Sequence, residues 1–271
     1  MRIDFAQIDA FATAPFTGNP AAVMPLHAWL DDEVLQNIAA ENNLSETAFL
    51  VPIADSDDDA GDGPDFELRW FTPVSEVVLC GHATLASGHY VLSSDPERDR
   101  VRFRTRQSGV LEVARKDGGG YAMALPAWRA EAKPLPELVA ALGLSGDLPT
   151  FWHPHRYGLI VVQSADQVRA LDPDFRRMAK EGDVLTIVTA PGEDSDVISR
   201  AFAPGAGIDE DPVTGSAHAV LVPYWTERLG RDSFTAFQAS KRGGYLDCRA
   251  DGDRVILGGE CVTVIEGTFS I

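Results

Sequence analysis

Apolar and polar positions alternate at the start of the chain, with Ile3, Phe5, Ile8 and Phe11 separated mainly by polar residues. That is the period of a half-buried strand. Gly18-Asn19-Pro20 signals a turn and Ala21 to Leu26 is a short apolar run. Asp31-Asp32-Glu33 opens a helix with acids at its positive end, and Val34, Leu35, Ile38 and Ala39 follow at helical spacing. Asn42-Asn43 ends that helix, and strands are expected over Glu46 to Val51 and Phe66 to Phe71. Between them, residues 54–65 form an acidic, Gly-containing loop. The register of its acids and the missing Glu at the twelfth position argue against a calcium loop.

The texture changes at Gly118-Gly119-Gly120, Pro126, Pro134 and Pro136. Domains tend to part in such stretches, which places a boundary near residue 126 and gives domains 1–125 and 126–271, the last strand being a candidate for return to the first. Leu135 to Leu142 reads as a short helix, and Leu159 to Val162, Val184 to Thr189 and Ser199 to Ala203 read as β-rich. The halves echo each other. Phe71-Thr72-Pro73 returns as Phe202-Ala203-Pro204 about half a chain later. Each is followed by a Gly-containing turn and an Ala-rich helix start, Leu79 to Ala86 in the first half and Asp211 to His218 in the second. A helix start exposes unpaired N–H groups and attracts anions. One such site per half suggests a single anionic ligand held by two facing helix ends.

The chain has 271 residues, 45% of them hydrophobic and 24% charged, so a soluble protein with a sizeable core is expected. No apolar run approaches the roughly 20 residues of a membrane span, and the N-terminus lacks a signal-peptide pattern. Cys80, Cys248 and Cys261 are odd in number and lack metal-ligand spacing, which favours a reducing, cytoplasmic setting over disulfides or a structural metal. The net charge of −18 argues against nucleic acid or an anionic membrane as partner. An anionic substrate must then be held by local donors.

Several segments together carry a family resemblance: Ile8 to Phe11 with Pro15 to Val23, Glu41 to Phe49, Leu68 to Pro73, Cys80-Gly81-His82-Ala83-Thr84, Phe202-Ala203-Pro204, Glu210 to Ala217 and Arg242-Gly243-Gly244. In this order they resemble the phenazine-biosynthesis isomerase (PhzF-like) family of the diaminopimelate-epimerase-like fold. The resemblance implies an α/β (α+β) architecture of two pseudo-symmetric domains, each a curved mixed sheet wrapped around a central helix, with the active site in the cleft between them. It also implies a cofactor-free, metal-free isomerase, commonly a homodimer, that moves a proton on a small anionic carbon acid. Specificity lies in the cleft side chains, so a phenazine pathway does not follow from the motifs.

Glu46 occupies the acid of the family's Ser-Glu-Thr motif and is the candidate proton carrier. A single carboxylate can both take and return a proton where burial brings its pKa toward the working pH. Alternatively it caps a helix or faces solvent from a strand. His82 and Asp211 match the family's two accessory polar positions, against the plainer readings of a helix-start histidine and an Asp-Pro turn. Gly81, Gly215 and Ser216 are expected to bring backbone and hydroxyl donors to the substrate, Ser45 to assist Glu46, and Gly18 and Asn19 to line the rim. His218 reads as a satisfied core histidine, and His153 and His155 as loop residues. Related racemases face two thiols across the substrate. Here Cys80 stands in one place and Val213 in the other, which disfavours that chemistry. A thiol-assisted epimerase using Cys80 and a non-catalytic binding protein on the same fold remain the alternatives.

Overall fold

A computed structural model describes residues 1–53 and 63–271. The acidic loop expected over 54–65 therefore lies, for residues 54–62, outside the described residues. The chain folds as two compact units: Met1–Ala124 joined by Gly258–Ile271, and Leu125–Leu257. The crossing falls beside the Pro-rich stretch. The final segment sits with the first unit rather than with 126–257, because its last strand pairs along the whole first strand.

The first unit runs β1 (Arg2–Ala10), β2 (Asn19–Pro25), α1 (Asp32–Asn42), β3 (Glu46–Pro52), β4 (Phe66–Phe71), β5 (Glu76–Val77), α2 (Gly81–Ser94), β6 (Arg100–Thr105) and β7 (Val110–Arg115). β8 (Tyr121–Pro126) leads across to the second unit. That unit holds β9 (Glu131–Ala132), α3 (Pro136–Ala141), β10 (Thr150–His153), β11 (Tyr157–Val161), α4 (Ala165–Arg169), α5 (Phe175–Met178), β12 (Leu185–Pro191), β13 (Val197–Ala203), β14 (Ile208–Asp211), α6 (Gly215–Leu229), β15 (Ser233–Gln238) and β16 (Gly244–Asp251). β17 (Arg254–Gly259) returns the chain, and β18 (Cys261–Ser270) lies antiparallel to β1. His153, expected in a loop, closes β10, where it pairs with Tyr157.

In the first unit β1 pairs antiparallel with β2, β2 parallel with β3, and β3 antiparallel with β4. α2 packs on β1, β2, β3, β6, β7 and β18. Its small residues explain how: Gly81 through Gly88 are all buried, so the sheet closes on the helix backbone from several sides. At Gly88 an added Cβ would lie 2.4 Å from Val113 Cγ1 and 2.6 Å from its Cβ, too close for a β-branched side chain to yield cheaply. Gly88→Ala is expected to destabilise the fold by about 1–3 kcal/mol, overpacking outweighing the helix-propensity gain. The shift in urea midpoint measures it, and an unchanged midpoint would contradict this packing.

The sequence echo between the halves is a matched structural device. Arg69 on β4 makes paired hydrogen bonds to Glu76 at 2.7 and 2.8 Å and lies 4.9 Å over the Phe71 ring. Arg200 on β13 does the same with Glu210 at 2.7 and 3.0 Å and lies 5.0 Å over Phe202. Two-pronged guanidinium–carboxylate pairing fixes orientation as well as charge, so each device ties the strand before the turn to the segment leading into the buried helix.

α6 is the second unit's buried helix, and it carries Pro223 in its interior. A proline there has no N–H and leaves the carbonyl four residues earlier without its helical donor. That carbonyl, on Ala219, instead accepts the Trp128 N–H at 2.9 Å. The chain just after β8 thus completes the helix that the proline would otherwise weaken.

Candidate active site

The first unit gathers one cluster around the start of α2. Glu46 is the first residue of β3, beside Ala21 of the parallel β2. Asn19, the first residue of β2, is fully buried. Gly18 before it has a φ of +65°, and an added Cβ would meet the Ala10 carbonyl oxygen at 2.2 Å. This left-handed position turns the chain so that Asn19 enters the interior. Gly18→Ala is expected to cost about 1–2 kcal/mol from backbone conformation alone, with the clash adding to it. Thermal unfolding reads the loss, and an unshifted melting temperature would count against it.

His82, one residue inside α2, is only 3% exposed and has a partner at each ring nitrogen. Its Nε2 lies 3.0 Å from Glu46 Oε2, the carboxylate side chain being 12% exposed. The imidazole N–H does not point along that line, so both atoms stay without an aligned hydrogen bond. On the other side Nδ1 lies 3.1 Å from Asn19 Nδ2 and 3.5 Å from Cys80 Sγ. Burial opposes charge on the ring, but the negative charges offered by Cys80 and Glu46 raise its pKa well above the ordinary 6.5. Burial, helped by the charge of Glu46, pushes the Cys80 thiol up to about 11. The thiol is therefore largely protonated at neutral pH, and Glu46 is the carboxylate that stands beside the His82 ring.

The carboxylate, thiol and imidazole lie within 4.8 Å of one another, a donor set of the kind that suits zinc. Both imidazole nitrogens already face partners, so an ion would have to displace Glu46 or Asn19 from His82. The start of α2 adds backbone donors: its N-cap, Cys80, makes no side-chain capping bond, and its first turn has no acid. That contrasts with α1, whose first turn carries Asp32 and Glu33.

The second unit presents a parallel arrangement. Asp211 ends β14 and is 8% exposed, and the Thr214 hydroxyl donates to its Oδ2. Gln238, fully buried at the end of β15, accepts the Thr214 N–H at 2.9 Å and donates to the Asp211 carbonyl at 2.7 Å. α6 begins at Gly215 with Thr214 as N-cap, again without a side-chain cap or an acid in the first turn. Thr214 spends its hydroxyl on Asp211, leaving the first-turn N–H groups without a side-chain cap.

The family model for the phenazine biosynthesis-like proteins, PhzC-PhzF, matches residues 8–267. The chain belongs to this family. A Pseudomonas aeruginosa relative named as an uncharacterized isomerase is 45% identical over the full length of both chains. A PhzF-family structure from Enterococcus faecalis covers all of both chains at 40% identity with a TM-score of 0.88. At the level of fold alone, a hydroxyproline epimerase from Agrobacterium vitis matches 98% of this chain and 92% of its own at a TM-score of 0.63 and 11% identity. The fold is thus the mixed α/β fold that PhzC-PhzF proteins share with epimerases and proline racemases, and named isomerases stand among this chain's relatives. No helix among the described residues is long and apolar enough to cross a membrane.

Within this PhzC-PhzF protein, the first unit brings together Glu46, His82, Gly81, Gly18 and Asn19, and the second holds Asp211, Gly215 and Ser216. Ser45 precedes Glu46 but makes no hydrogen bond to it among the described residues. Asn19, expected at a rim, is instead an interior partner of His82. Thr214 and Gln238 were not singled out in the sequence. Thr214 had a signal, a hydroxyl residue just before a helix start, whereas nothing local marks Gln238. His218 is buried with its Nδ1–H on the Thr214 carbonyl at 2.8 Å, yet its Nε2 has no partner among the described residues. It is a half-satisfied core histidine rather than a satisfied one.

Proposed function

We propose that the protein is a cofactor-independent isomerase that moves a proton on a small anionic carbon acid, with Glu46 as the single shuttling acid/base. The observation that carries this reading is the Glu46 carboxylate 3.0 Å from the buried His82 imidazole, beside an uncapped helix start. Glu46 takes a proton from one carbon, and the electron pair enters the delocalised anion of the substrate. The resulting carboxylic acid then returns the proton to a second carbon and becomes a carboxylate again. His82 stays an imidazolium beside it and offsets the charge that the substrate anion develops.

Asn19 suits this cycle because its amide serves either state of His82. The Nδ2 group donates to a neutral Nδ1, and a half-turn about the amide offers Oδ1 to a protonated one. Asp211, fixed by Thr214 and Gln238, takes the accessory role that its motif position implies, that of binding an amine or hydroxyl of the substrate. Within the first unit, the first-turn N–H groups of α2 support an anionic substrate. The same reading carries a homodimer and a cytoplasmic location, which light scattering and cell fractionation check.

The thiol-assisted reading has one observation in its favour, the 3.5 Å approach of Cys80 Sγ to His82. Two points weigh against it: a thiol held at about 11 supplies little thiolate near neutrality, and the matching place in the second unit is the buried, apolar Val213. The test of the leading reading is deuterium entry from D₂O into a C–H position of a small cyclic carboxylate. Failure to exchange any compound that the protein binds would refute it in favour of a non-catalytic binder.

A further inference from the structure

A cavity of about 440 Å³ opens in the second unit, within the range of small-molecule sites. None of Asp211, Thr214, Gly215 or Ser216 lines it. Its origin lies in Pro223. The Trp128 N–H docks on the carbonyl that the proline leaves over, and the following residue, Arg129, comes to line the cavity with Phe151 of β10 and with Pro223, Tyr224, Glu227 and Arg228 of α6.

The lining has three chemical parts. The Phe151 and Tyr224 rings meet with centroids 5.2 Å apart at 60°, an edge-to-face apolar floor. The Arg228 guanidinium lies 4.9 Å over the Tyr224 ring. Arg129, Arg228 and Glu227 are all exposed and have no ion-pair partner among the described residues, whereas Arg69, Arg200 and Arg231 each face a carboxylate. In a chain of net charge −18, two guanidiniums without a carboxylate partner meet at this cavity. The Tyr224 hydroxyl oxygen is also buried without a hydrogen-bond partner, a state that proteins seldom leave unanswered.

We propose that this cavity binds a small aromatic amino acid. The ring rests on Phe151 and Tyr224, the carboxylate on Arg129 and Arg228, and the ammonium on Glu227. Both charge signs are needed: a plain aromatic acid leaves Glu227 unmatched beside it, and an aromatic amine leaves both guanidiniums unmatched. Binding here does not depend on the Glu46 chemistry.

Isothermal calorimetry with phenylalanine and tryptophan tests this, beside 3-phenylpropanoate, phenethylamine and alanine, which lack the ammonium, the carboxylate and the ring. Phenylalanine is expected to bind at least about tenfold more tightly than each truncated probe, the size of one lost charge-assisted hydrogen bond or of the buried ring. The exposed double variant Arg129→Ala/Arg228→Ala, with its fold checked by circular dichroism, is expected to lose at least as much. Absence of binding by both amino acids at millimolar concentration overturns the proposal. So does affinity undiminished in the double variant, which would place the ligand elsewhere, or equal affinity for 3-phenylpropanoate.

Discussion

Glu46→Gln is expected to lower turnover by about 10²–10⁴-fold, the usual worth of a positioned acid/base, while ligand binding measured by calorimetry stays within a few-fold. Glutamine keeps the shape and a hydrogen-bonding oxygen but can neither take nor hold the proton. The variant carries a second signature that a merely structural residue would not produce. Burial opposes charge on His82, while Cys80 and the Glu46 carboxylate favour it. Without that carboxylate the His82 pKa should fall. The ring's C–H resonances, followed by NMR across a pH titration, report this directly. Unchanged turnover would remove Glu46 from the chemistry, and an unchanged His82 titration would remove it from the pair.

The second large effect is on acid stability and belongs to His218. Burial lowers its pKa from 6.5 to about 4, although the bond to the Thr214 carbonyl pulls the other way. In the unfolded chain the ring takes a proton near 6.5, whereas in the folded chain it resists until about 4. The unfolded state therefore binds more protons within that window, and stability falls as pH drops from 6.5 toward 4. The full loss is about 3 kcal/mol, from the size of the shift at 1.36 kcal/mol per unit. His218→Gln removes the titrating group and should flatten this part of the profile, although it costs stability at neutral pH through altered packing. The comparison is between urea midpoints of the two proteins at several pH values. Parallel profiles would show that His218 does not drive the acid loss.

The turn–helix starts at Cys80-Gly81 and Thr214-Gly215 were legible in the sequence because their signals are local. Small residues follow a strand end, and no acid or capping bond occupies the first turn. Their motifs also led to the family. The pairing of Glu46 with His82 was legible only as shared motif membership, since the contact depends on β3 lying in register beside β2 and under the start of α2. Asn19 shows the same limit: its turn was plain, but its inward course depends on the left-handed Gly18. Arg69 and Arg200 form matched devices in the two units, but only the Phe and Pro positions of that echo stood out, because the glutamates lie at different distances along the chain. Pro223 argues against a continuous helix, and no local pattern announces that Trp128 will supply the missing donor. Gln238 had no local signal at all, since its role is to accept and donate between two residues far upstream.

The central claim is that one carboxylate, without a second thiol base, moves a proton on carbon. It is tested most directly by incubating small cyclic and amino-acid carboxylates in D₂O with the wild type, Glu46→Gln and Cys80→Ala, and reading C–H deuteration by NMR and mass spectrometry. The account predicts exchange at carbon with the wild type and with Cys80→Ala, and none above background with Glu46→Gln. Exchange that survives in Glu46→Gln and is lost in Cys80→Ala would contradict it and make Cys80 the base.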